Sequence, residues 1–66
     1  MSIFVQRLSE ELARHNMKPD HLAKKAGLSH YCLYSWMRGK RTPNAINLAA
    51  IADVLGVSMD WLWGRK

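Results

Sequence analysis

A chain of 66 residues with a net charge of +5 and 48% hydrophobic content holds one domain, 1–66, and is too apolar to be disordered. A domain of this size buries only about 60% of its unfolded surface, which leaves room for one small core and one binding face but little for a deep catalytic cleft. No apolar run approaches the ~20 residues of a membrane span. The single cysteine makes no internal disulfide and suits a reducing cytoplasm.

The first predicted helix follows Ser2, a good N-cap. Phe4, Leu8 and Leu12 recur every four residues with Val5 beside them, and the helix fades near Asn16. The opening "MSIFVQRLSEEL" meets acids within a dozen residues, so it is not expected to be a secretory signal. A second helix starts at Pro19, which suits a first helical position, and Asp20 favours the positive helix start. Leu22, Ala23 and Ala26 form its inner face and Gly27 stops it. The third helix begins at the cap candidate Ser29, runs to about Arg38 and ends at Gly39. With Leu33 at the centre of its buried face, Ser29, Trp36 and Met37 fall on the same side. Tyr31, Ser35 and Arg38 fall opposite, with Cys32 and Tyr34 on the flanks and His30 projecting from the first turn. Asn44 caps a fourth helix marked by Ala45, Leu48, Ile51, Ala52 and Leu55 and closed by Gly56. Ser58 caps a short fifth helix, "MDWLWG", in which Trp61 is expected to pack into the core. No sustained alternation or hairpin dipeptide suggests a strand, so the fold class is all-α.

The positive charge is local. Lys18, Lys24, Lys25, Arg38, Lys40 and Arg41 stand in the middle of the chain against Asp20 alone, while the four basic and four acidic residues elsewhere cancel. A basic patch on a neutral body suggests a polyanionic partner. The second and third helices are joined by the very short turn "AGLS", where a glycine lets the chain reverse and Leu28 plugs the corner. Two short helices meeting this way describe a helix-turn-helix, over about 19–38 here. Its second helix, about 29–38, is of the kind that lies in the major groove of DNA.

From "HLAKKAGLSHYCLYSWMRGKRTPNAINLAAIADVLGVSMDWL" the chain resembles the lambda-repressor-like, or XRE-type, helix-turn-helix family. The likeness rests on "LAKKAGLS", Leu33, Trp36, "RGKRTP", "LAAIADVLGVS" and "DWL" in that order, and with the first helix it spans nearly the whole chain. It implies a compact five-helix domain that binds double-stranded DNA in a sequence-specific way. The implied function is a prokaryotic or phage transcription regulator, a repressor by expectation, acting as a homodimer in the cytoplasm or nucleoid. It also implies base reading by His30, Tyr31 and Ser35, with Ser29, Cys32 and Tyr34 as flanking contacts. Phosphate contacts would come from Arg38, Lys40 and Arg41. The family's glutamine at the start of the second helix is replaced by Pro19, with Lys18 as its substitute. The family's ion pair between the third and first helices is replaced here by Met37 and Leu12, read as an apolar pair.

Other chemistries fit less well. His15, His21 and His30 share no i,i+4 spacing and only one cysteine is available, so no metal is expected. No nucleophile–base–acid set or phosphate-cradling glycine loop is present, so neither an enzyme, a cofactor nor a small-molecule site is expected. Helix three lacks glutamine and asparagine, and its arginine, Arg38, is at its end. Readout is therefore expected to rely on single hydrogen bonds, methyl contacts, water and DNA shape. Trp63 should point away from Trp61, either towards a second copy in a dimer or back over helix one. The competing function is a protein-binding or antitoxin-like adaptor that uses the tyrosines and Trp63. It gives no reason for the excess charge to gather beside helix three.

Overall fold

Five helices follow one another in the computed structural model, which describes residues 2–65: α1 (Ile3–Arg14), α2 (Pro19–Ala26), α3 (His30–Met37), α4 (Ala45–Leu55) and α5 (Met59–Trp63). No strand occurs among the described residues. Three starts are capped as the sequence predicts. Ser2 Oγ accepts from the Val5 N–H at 3.1 Å, Asn44 Oδ1 from Asn47 at 2.8 Å, and Ser58 Oγ from Trp61 at 3.0 Å. Each satisfies one amide that the first helical turn leaves unpaired. Ser29 departs from the expectation. It holds the extended backbone of an N-cap, but its hydroxyl donates to Cys32 Sγ at 3.7 Å instead of capping α3.

All five helices close in one way, the Schellman pattern, in which a left-handed residue lets the next amide reach back five residues. The left-handed residues are Asn16, Gly27, Gly39, Gly56 and Gly64. The reaching amides are Met17 to the Leu12 carbonyl at 2.8 Å, Leu28 to Ala23 at 2.8 Å, Lys40 to Ser35 at 3.0 Å, Val57 to Ala52 at 3.1 Å and Arg65 to Asp60 at 2.8 Å. Asn16, at φ 53°, is the one non-glycine among them, and asparagine tolerates this region better than most residues do.

The core gathers Phe4, Val5, Leu8 and Leu12 of α1 with Leu33 and Trp36 of α3, Leu48, Ile51, Ala52 and Leu55 of α4, and Leu62 of α5. Short α2 adds only Leu22 and Ala23. It is held by packing on α3 and α4, because eight residues do not make a stable helix alone. Around the same core α1 packs on α5 and α3, and α4 on α5, giving a body of 26 × 24 × 22 Å. Leu62, not Trp61, is the fully buried residue of α5, while Trp61 sits half-buried at the rim under the Arg7 guanidinium, 4.8 Å from its ring centre. Arg7 also donates to the Trp61 carbonyl.

Among the described residues one charged side chain is buried, Glu11. Arg14 donates to both of its oxygens, at 2.8 and 3.1 Å, and the neighbouring His15 Nε2 lies 3.5 Å from the carboxylate and 3.1 Å from the Leu55 carbonyl. The Arg14 hydrogen bonds hold the Glu11 carboxyl below its ordinary pKa, and burial opposes them only in part. The end of α1 is thereby tied to the end of α4.

Candidate nucleic-acid interface

The sequence that makes α3 a platform is mostly the sequence that anchors its inner side. Gly27 takes φ 73°, the Leu28 amide closes α2, and two residues later the chain re-enters a helix at His30. Leu33 and Trp36, three apart, are buried and fix the rotation of α3 against α2 and α1. Whatever lies on the other side of α3 must then face water.

That other side is aromatic. Tyr31 is 77% exposed and Tyr34 43%. The His30 ring stacks on Tyr31 with centroids 5.4 Å apart and planes 16° from parallel, and it meets Tyr34 edge-on at 6.0 Å and 80°. Together with Ser35, Arg38 and Lys40 these rings line an open concavity of about 470 Å³. The expected base readers His30, Tyr31 and Ser35 are thus brought to one place, and Tyr34 joins them as a full wall where the helical wheel gives it a flank. The signal that shows this is spacing: residues 30 and 34, and 31 and 34, are i,i+4 and i,i+3 neighbours on one helix surface.

Two positions differ from the expectation. Ser35 is half-buried, not exposed, because its carbonyl accepts the Lys40 amide at 3.0 Å and the Arg41 amide at 3.4 Å, folding the following loop over it. Ser29 is exposed although its wheel position is inward, because an N-cap lies outside the helical path. Met37 lines a recess with Ser2, Phe4 and Val5 at the start of α1. Met37 also packs against the core cluster that contains Leu12. Cys32 is half-buried at the edge of the core.

Two basic residues, Arg38 and Lys40, line this concavity. Lys18, Arg38, Lys40 and Arg41 are exposed, and among the described residues their side chains make no hydrogen bond or ion pair. Arg38 lines both the aromatic concavity and the recess at the start of α1, where Arg41 and Thr42 join it. Lys18 stands apart at the start of α2 and lines neither. Lys24 and Lys25 are exposed in the last turn of α2, where they complement the helix dipole. Among the described residues no acidic side chain lines either hollow. An exposed aromatic face bordered on one side by unpaired cations is suited to bind a polyanion that also presents flat or apolar groups.

Trp63 lies on a different part of the molecule. Its ring packs on Phe4 at 5.5 Å yet stays 39% exposed, so it covers α1 and still presents an edge to water beside Pro43, Met59 and Asp60. Among the described residues no three His, Cys, Asp or Glu side chains gather as a metal site would require, and no helix is long and apolar enough to cross a membrane.

Comparison with known proteins places this geometry in a family. The helix-turn-helix family profile matches residues 8–62. Over 44 residues the chain is 39% identical to an uncharacterized HTH-type transcriptional regulator of Haemophilus influenzae. That match covers 67% of this chain but only 18% of the relative. The chain belongs to the helix-turn-helix family.

Proposed function

From that membership as the premise, we propose that the chain is a DNA-binding transcription regulator that lays α3 in the major groove. The family and the regulator relative support DNA binding and regulation and speak against an enzyme. The observation that carries the finer reading is the unpaired aromatic–basic concavity on α3. An α-helix with its side chains is about 10–12 Å across, which fits a major groove about 12 Å wide. Tyr31, His30 and Ser35 are the proposed base readers, with Ser29, Cys32 and Tyr34 beside them. Arg38, Lys40, Arg41 and Lys18 are the proposed phosphate contacts. These cations position the protein, and the rings and hydroxyls discriminate among bases.

Two copies are proposed to bind together, meeting near α5, with the exposed edge of Trp63 in the contact. A pair of bodies about 24 Å across suits half-sites about one helical turn, roughly 34 Å, apart, provided the pairing surface is not α3 itself. Bound over a promoter, such a pair would block access by other proteins, so repression is the expected outcome. The whole chain, 1–66, acts as one domain in this reading.

Selection of bound sites from random duplex DNA tests it. The expected product is an inverted repeat at that spacing. Enrichment of no sequence would remove the proposal, and enrichment of isolated half-sites would remove the pairing alone.

A further inference from the structure

We propose that the His30–Tyr31–Tyr34 concavity reads the 5-methyl group of a pyrimidine, thymine foremost. The inference rests on the proposed placement of α3 in the major groove and adds what the helix recognises there. On the major-groove edge of DNA the C5 methyl of thymine is the apolar group, and rings recognise it without hydrogen bonds. α3 offers rings in the place where a bidentate reader would otherwise stand. Its first turn holds His30, Tyr31 and Leu33 around Cys32, with no amide side chain and no arginine before Arg38.

The geometry favours a methyl over a whole base. His30 and Tyr31 lie nearly parallel while Tyr34 stands at 80° to His30, so the rings form two walls meeting at an angle. A base stacked flat on one wall would collide with the other, whereas a methyl group directed into the corner touches both. Ser35 lines the same concavity, and its hydroxyl is of a kind that donates to thymine O4 next to the methyl. Arg38 and Lys40 at the rim hold the flanking phosphates. The large exposure of Tyr31 also acquires a reason: the ring face turned away from His30 is left open for an apolar partner.

The test remakes a selected duplex with each thymine in turn replaced by deoxyuridine, which removes the methyl and keeps every hydrogen-bonding group. Affinity is read by fluorescence anisotropy at one salt concentration. One or two positions per half-site should weaken binding about three- to tenfold, since burying one methylene-sized group corresponds to about fourfold. The double variant Tyr31→Ala, Tyr34→Ala, checked for native helicity by circular dichroism, should bind the thymine and deoxyuridine duplexes alike. The double variant Tyr31→Phe, Tyr34→Phe keeps the rings and should keep the discrimination. If every deoxyuridine duplex binds as tightly as its parent while the parent still exceeds random duplex, methyl reading is wrong and groove binding stands. If no duplex exceeds random DNA, both readings fall together.

Discussion

Aromatic rings meet basic side chains in two regions of this molecule, and the two meetings differ in what the cation does. Along the α1–α5 seam, Arg7 lies over the Trp61 ring and donates to the Trp61 carbonyl, while Trp63 rests on Phe4. On α3, His30 stacks on Tyr31 and meets Tyr34 edge-on, and Arg38 and Lys40 stand beside them in water. The residue types are alike. In the seam the cation has internal partners, so the cluster holds the fold together. On α3 such partners are missing among the described residues, and a cluster left unsatisfied at a surface is suited to bind something else.

The sharpest way to break that contrast is to remove one ring from each side. Phe4→Ala should destabilise the fold by about 3–5 kcal/mol, because a large buried ring leaves a cavity that closes only in part. A small domain has roughly 5 kcal/mol in all, so urea denaturation should find the variant largely unfolded. Tyr31→Ala and Tyr34→Ala should each change stability by no more than about 0.5 kcal/mol, as exposed substitutions do. Together with Ser35→Ala, Tyr31→Ala should nevertheless abolish preference for a selected site and leave weak, salt-sensitive binding. If site preference survives, α3 is not the reading helix.

Most of the fold is legible from the chain, because helix starts and stops are local chemistry. Ser2, Asn44 and Ser58 cap where expected, and Gly27, Gly39 and Gly56 end helices. What escapes is set by neighbours distant in sequence. The helical wheel puts Ser35 in water, but it does not include the loop that Gly39 turns back onto the Ser35 carbonyl. Trp61 is expected in the core and does pack against it, but Leu62 is the fully buried residue, and Arg7, 54 positions away, covers the outer side of Trp61. The rings of α3 are each visible as single residues. Their assembly into one concavity follows from the i,i+3 and i,i+4 spacing, so that part of the site is readable too, although a wheel centred on Leu33 hides it.

A smaller contrast separates two arginines. Arg7→Met should lower stability by about 1–2 kcal/mol through removal of the ring contact and the carbonyl bond, with little change in the salt dependence of DNA binding. Arg41→Met should leave the urea midpoint in place and weaken binding to all sequences alike. The slope of log K against log salt should shrink by about 0.9 for each phosphate that is no longer neutralised. Comparable stability losses in both variants would mean that the basic loop is structural too.

The smallest expected effect concerns acid. Glu11 has its carboxyl pKa lowered from the ordinary value of 4.5, first by the Arg14 hydrogen bonds. A lowered pKa in the folded chain means that the ion pair stabilises the fold at pH above that ordinary value. The contribution is lost as pH falls from there through the lowered value, when the carboxyl takes up its proton. Its size is modest because Arg14 itself is largely in water. Glu11→Gln should therefore melt slightly lower than the parent at pH 7, and the gap should close as the pH is taken down towards about 3, below the ordinary carboxylate range. DNA binding at pH 7 should not change, since among the described residues no carboxylate lines the concavity or the recess beside it. A gap in melting temperature that stays constant with pH would show that shape and burial, not charge, make the residue useful at the end of α1.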